Sequence, residues 1–280
     1  QRARRFGNHG EHVHRGFRDR SAVRGRPHGE HLAVSILTPA TSPGRMLQNM
    51  RHALSLGLRE VDGCRPHAHT LSIAGGGPSL ADTIGQLSGV VAAINGSCGF
   101  LIGKGVIPHL CGVLDAGAHM PDVIVADKRV RYYVASVCDP GVFQKLKDCD
   151  VRLWHASSVT GGQGLLELRG RTWITIAGGS TMGLRWMNLG YVLGFRTFHL
   201  HGLDSSFRDG ATHAYADRDR KGGVIEVEGY KTRANFLEQA DEFFVQMAKF
   251  GEEGIDPISV EMFGDGLLQD RWRRRQKAAA

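Results

Sequence analysis

No apolar run in this 280-residue sequence reaches the roughly 18–20 residues that a bilayer-spanning helix needs. The Arg- and His-rich N-terminal stretch contains no apolar signal core, so the chain is expected to be cytoplasmic. There is no C-x-x-C pair among the five cysteines (Cys64, Cys98, Cys111, Cys138 and Cys149). An odd count without that spacing argues against a disulfide framework or a thiolate zinc site and for free, mostly buried thiols. No string fits the P-loop pattern: Lys104 stands in Gly103-Lys104-Gly105 with no hydroxyl residue after it. No internal repeat is present.

The formal charge of +7 suggests a polyanion partner until it is mapped. Residues 1–45 hold nine Arg against three acidic residues, and residues 271–280 hold four Arg and one Lys. The sequence between them is mildly acidic, so the basic excess belongs to two ends. Solvated ends are the reading adopted; weak, salt-dependent nucleic-acid binding through them is the alternative. Residues 1–45 have too few large apolar groups to offset the entropy of ordering and are expected to be disordered or loosely attached. A single domain is expected over 46–270, with 271–280 as a basic tail.

What is present is alternation. The spacing predicts a helix from Met46 to Leu58. Strands are predicted at Leu71–Ala74, Val90–Ile94, His109–Leu114, Val130–Ser136, Val151–His155, Thr197–Leu203 and Ile258–Val260. Helical stretches fall at Leu80–Gln86, Phe100–Lys104, around Asp122, at Pro140–Lys147, Ser180–Leu193 and Tyr230–Phe250. The Gly-rich residues 160–170 are expected to form a mobile loop. Strands alternating with short helices imply an α/β, Rossmann-like, mostly parallel doubly wound sheet. Such sheets bind ligands at the carboxyl ends of their strands.

Polar groups gather at those ends. Gly75-Gly76-Gly77-Pro78-Ser79-Leu80 joins the first strand to a helix; glycines there allow close approach of an anion, and the helix start supplies N–H groups. Leu80 stands where a dinucleotide fingerprint needs its third glycine, and Asn95 where it needs an acidic residue. Asn95 and Gly96 end the second strand. Asp115 ends the third and Asp204 the sixth; both are candidate magnesium ligands, although strand-end Asp is also an ordinary turn residue. Ser180 and Thr181 open a helix after Gly178-Gly179, where they could contact a phosphate or simply cap. His213, in the loop after Asp204, suits acid–base work. His199 and His201 share a strand face and are read as structural, since two His do not make a zinc site. Lys231 and Arg233 could reach a substrate phosphate but are read as a solvated helix end.

Ser72-Ile73-Ala74-Gly75-Gly76-Gly77-Pro78-Ser79-Leu80, Val91–Gly96, Leu114-Asp115 and the run from Gly179-Ser180-Thr181 through Leu193–Asp204 together resemble the archaeal 6-hydroxymethylpterin diphosphokinase (MptE-like) family. Their order is also similar to that of bacterial sialyltransferases using a CMP-sugar donor. The first resemblance implies Mg²⁺, ATP and transfer of a pyrophosphoryl group to a pterin-like hydroxymethyl acceptor. The second implies a nucleotide-sugar donor and a glycan acceptor, with Gly75–Leu80 and Asn95 on the nucleotide, Ser180 and Thr181 on the donor, and His213 as base. A non-catalytic nucleotide- or nucleic-acid-binding module is the third reading.

Overall fold

The computed structural model describes residues 41–157, 159, 161–169, 173–216 and 223–279. Residues 1–40 of the expected basic segment lie outside them. The described chain begins in a helix: Ser42 caps α1 (Pro43–Ser55), accepting from Arg45 N–H at 3.3 Å, with Pro43 in the first turn, where its missing N–H costs nothing.

Eight strands form one sheet: β1 (Thr70–Ala74), β2 (Val90–Ile94), β3 (Leu110–Val113), β4 (Arg131–Ala135), β5 (Asp150–Ala156), β6 (Thr175–Ile176), β7 (Thr197–His201) and β10 (Ser259–Phe263). Their spatial order is β10-β7-β1-β2-β3-β4-β5-β6, and every neighbouring pair is parallel. The connecting helices are α2 (Leu80–Thr83), α3 (Ser97–Gly103), α4 (Met120–Val123), α5 (Pro140–Lys145), α6 (Gly162–Glu167), α7 (Met182–Val192) and α8 (Ala234–Phe250). The expected Rossmann-like, doubly wound sheet is what forms. Its strands are short apolar runs, fully buried in β1 at Leu71, Ile73 and Ala74 and in β3 at Cys111 and Val113, as a sheet covered on both faces requires. All five cysteines are free, and Cys98, Cys111 and Cys138 are buried.

Sequential strands run outward from β1 to β6; the chain then returns to place β7 on the other side of β1. That reversal is the topological switch point, and it brings the loops after β1 and β7 together.

Three expectations need correction. Residues 160–170 are not simply a loop: α6 occupies Gly162–Glu167, and Leu166 is buried in the core. The predicted helix Tyr230–Phe250 begins four residues late, because Tyr230–Thr232 is strand β9, paired antiparallel with β8 (Ile225–Val227). Glu228 and Gly229 both have positive φ (55° and 81°), as a two-residue hairpin turn with right-handed twist demands. Lys231 therefore lies on a strand, where its carbonyl accepts from Phe207 N–H at 2.8 Å, and Arg233 caps the helix with its guanidinium 4.8 Å from the Phe207 and Phe236 ring centres.

Finally, residues 271–279 of the expected basic tail are helical, with 273–279 exposed. They continue α9 (Leu267–Ala279). Leu267 and Leu268 are fully buried, and the Trp272 ring stands edge-on to Phe243 at 5.4 Å. Arg271 bonds Glu228 and Asp241 at 2.6–2.9 Å, and Arg274 bonds Glu228 and Asp270. Exposed ion pairs of this kind contribute little each; the Leu and Trp packing holds the helix down.

Candidate functional site

Four of the five residues 75–79 have an N–H, Pro78 having none. Three of these donate to the segment after β7: Gly75 to His201 O and Gly77 to Gly202 O, both at 2.7 Å, and Ser79 to Asp204 Oδ2 at 2.7 Å. The loop is stitched to its neighbour across the switch point. Glycine is required for that closeness: a Cβ on Gly77 would stand 2.7 Å from Asp204 Oδ2. The expected cradle of free amides is thus reduced to Gly76.

Asp204 closes the stitch. It is 4% exposed, and its Oδ1 accepts from Ser79 Oγ and from Gln269 Nε2, the latter at 2.8 Å. Burial pushes its carboxyl above the usual aspartate range, and the Ser79 and Gln269 donors offset this only in part. A carboxylate surrounded this way is engaged with the loop by three hydrogen bonds. Asp204, expected as a candidate magnesium ligand, fastens the loop in this arrangement.

Gly76 faces a different neighbour. The chain after Asp204 turns back over it: Ala214 N–H donates to Gly76 O at 2.9 Å, and a Cβ on Gly76 would lie 2.6 Å from the His213 ring and 2.8 Å from Tyr215 Oη. Tyr215 reaches on to β2, where its ring would stand 3.0 Å from a Cβ on Gly96 and lies 5.8 Å from the Phe100 ring. His213 Nδ1 is 2.9 Å from Thr212 Oγ1. The structure therefore brings Gly76, Gly96 and His213 together, with Asn95 beside Gly96 in the chain, and adds Tyr215, which sequence reasoning missed. Its signal was its place two residues after His213 in a Gly-bearing loop.

Asn95 sits at the tip of β2 with φ of 47°, a left-handed conformation Asn tolerates better than most residues. Its Oδ1 is buried and has no hydrogen-bond partner, an arrangement native proteins seldom leave without a purpose.

Asp115 stands one strand further along. Its Oδ1 accepts from Gly117 N–H at 2.8 Å, and Oδ2 lies 3.6 Å from His119 Nε2, with the Asp115 side chain 23% exposed. Unlike Asp204, it keeps carboxylate surface at the site. Magnesium commonly takes one or two carboxylates plus phosphate oxygens and water, so Asp115 suits such an ion.

The helix-start residues divide. Thr181 caps α7, accepting from Leu184 N–H. Ser180 gives both its N–H and its hydroxyl to Glu242 of α8, at 2.8 and 2.7 Å. Trp186 of α7 donates to Ala93 O of β2 at 3.1 Å, so α7 lies against the strands that carry the site. His201 is fully buried and stacked on Phe263 at 4.3 Å; burial lowers its pKa to about 4. It is the structural residue expected. His199 lies 3.4 Å from Glu261 of β10.

The model of a family described as 6-hydroxymethylpterin diphosphokinase MptE-like matches residues 44–210. Among solved structures, the chain is similar to the MAf glycosyltransferase from Magnetospirillum magneticum AMB-1, with a TM-score of 0.56 and 17% identity, over 85% of this chain. It spans 42% of that enzyme's length. The sialyltransferase CstII from Campylobacter jejuni, solved with the substrate analogue cytidine-5'-monophosphate, matches at a TM-score of 0.35 and 14% identity, over 73% of this chain and 84% of that one. No curated protein matches. Among the described residues, no helix is long and apolar enough to cross a membrane.

Proposed function

This chain belongs to the 6-hydroxymethylpterin diphosphokinase MptE-like family, and from that premise we propose that it is a nucleotide-dependent transferase whose nucleotide lies across the carboxyl ends of β1 and β2. The observation that carries the reading is the meeting of Gly76, Gly96 and the His213–Tyr215 loop on the switch-point side of the sheet, with Asn95, whose Oδ1 is buried and unpartnered, next to Gly96 in the chain. Asn95 Oδ1 would accept from a base or ribose group. Gly76 lets the His213–Tyr215 loop close over the backbone and set those two side chains beside the ligand, with Gly75, Gly77, Pro78 and Ser79 holding the loop's shape, and Thr181 starts helix α7.

In the diphosphotransferase reading the acceptor's hydroxymethyl oxygen attacks the β-phosphorus of ATP. A new P–O bond forms, the bond to the α-phosphate oxygen breaks, AMP leaves, and His213 takes the hydroxyl proton. Magnesium, bound through Asp115, would spread the charge of the triphosphate. Catalysis rests on positioning and charge stabilisation.

A second reading is transfer of a sugar from a nucleotide-sugar to a glycan acceptor. It is favoured by the engagement of the Asp204 carboxylate with Ser79 and Gln269, which leaves Asp115 as the remaining one of the two expected carboxylates.

A thermal-shift panel of ATP, with and without magnesium, against CMP-, UDP- and GDP-sugars separates the two. ATP-dependent AMP release with a hydroxymethylpterin is expected, and Asp115→Asn should slow it on the order of 100-fold if charge at the phosphates is its role. Stabilisation by a nucleotide-sugar with no response to ATP or magnesium would sink the diphosphotransferase reading.

A further inference from the structure

Beyond Asp115 the carboxyl edge of the sheet opens into a cleft of about 510 Å³, lined by Thr41, Ser42 and Arg45 on one side and by residues 116–119 on the other. The nucleotide reading uses none of these residues. The cleft lies over β3 and β4, next to the β2 end where Asn95 sits.

Its walls are held in a fixed relation. Asn49, one turn after Arg45 in α1 and 1% exposed, donates Nδ2 to Val137 O at 2.8 Å and approaches Ala116 O at 3.5 Å. One side chain thus ties α1 to the loops after both β3 and β4. Met50 and Ala53 bury the same face of α1 in the core. A cleft built this way is preformed and needs little ordering on binding.

One cationic side chain, Arg45, lines it together with the His119 ring, and none of the described lining residues is acidic. Each has a carboxylate outside the lining: Asp139 at 3.1 Å from Arg45 Nη2 and Asp115 at 3.6 Å from His119 Nε2. These partners fix the two side chains while Arg45 stays half exposed. The hydroxyls of Thr41 and Ser42 and the start of α1, a 13-residue helix with its positive dipole end at this wall, add donors of the same sign. His119 can donate an N–H in either protonation state. Small residues at Ala116, Gly117 and Ala118 leave room for a group to reach them.

We propose that this cleft binds an anionic group, phosphate or carboxylate, carried by the acceptor, with Asp115 between it and the nucleotide. Placing the acceptor here rests on the transferase reading; the anion site itself does not. The acceptor is then a hydroxylated small molecule bearing a negative charge, a narrower class than a neutral pterin alcohol.

Titration calorimetry of the full chain with inorganic phosphate, and separately with malonate, tests this. Saturable binding of phosphate alone points to a phosphorylated acceptor, and of malonate to a carboxylated one. Arg45→Gln should weaken the binding about tenfold or more, since a charge-assisted hydrogen bond is lost. That variant also breaks the Asp139 pair, so Ala118→Glu is the companion: Ala118 is exposed, and the new carboxylate repels an anion while both ion pairs stay intact. It should abolish anion binding and leave the affinity for ATP or a nucleotide-sugar within about twofold, as for separate sites. If neither anion binds, or if both variants bind like the parent, the proposal is overturned. If anions bind as expected and no nucleotide does, the transferase reading falls and the anion site stands.

Discussion

The two sides of β1 end in the same kind of sequence and do different work. On one side, Gly75, Gly77 and Ser79 are bonded to the segment after β7, and Asp204 is buried under three hydrogen bonds. On the other, Asn95 has a buried oxygen with no partner and Asp115 keeps part of its carboxylate at the surface. Asp204 is thus a latch, whereas Asn95 and Asp115 are the strand-end residues proposed to meet ligand.

The sharpest way to break this contrast is Asp204→Ala. It strands the Ser79 N–H and the Gln269 amide in the interior, and a loss of roughly 3 kcal/mol is expected in urea unfolding. Asp115→Ala should cost less than about 1 kcal/mol, since its side chain is part-exposed. Equal losses from the two would erase the distinction.

Asn95→Gly works from the ligand side. Glycine adopts φ of 47° freely and lacks only the amide. Stability should stay within about 0.5 kcal/mol, while nucleotide affinity measured by titration falls about tenfold through the lost hydrogen bond. A stability loss with unchanged affinity would make Asn95 another latch.

The smallest effect is a pH effect on the latch side, where His201 supplies the carbonyl that receives Gly75. Its folded pKa, about 4, is below the ordinary histidine value of about 6.5. The unfolded chain therefore takes up the proton first as pH falls. The stability His201 contributes is whole above about 6.5 and is lost as pH drops through that window towards 4. Buried Asp204, with its carboxyl raised, runs the other way: its contribution is greatest below the ordinary aspartate value and is lost as pH rises through its folded one. His201→Leu should flatten the acid side of a Tm-against-pH curve and Asp204→Asn the side above about 4. Unchanged curves would remove both groups from the account.

The sheet was legible because its strands are short apolar runs ended by Gly, Asn or Asp, and β2 falls on the predicted residues Val90–Ile94. α9 was not: its run of Arg outweighs Leu267, Leu268 and Trp272, the three residues that dock it. α6 was hidden by Gly161, Gly162 and Gly164, which read as a loop and fold as a helix because Leu166 packs inside. At the site, the strand-end positions could be read directly. The different jobs of Asp204 and Asp115 could not, because the placing of β7 beside β1 is a property of the sheet order. Gln269, which fixes Asp204, had no local pattern to mark it.

Ser79 and Asp204 are 125 residues apart, and Gln269 follows Asp204 by 65 more. During synthesis on the ribosome, the Gly-rich loop emerges long before the residues that give it its shape. β1 to β6 can pair in order as they appear, but the loop is fastened only once β7 and Asp204 emerge, and its latch is completed only by Gln269 of α9. A chain truncated before Gln269 would carry the strands of the sheet and lack the completed latch, so the shape of the loop is fixed only after all eight strands have emerged.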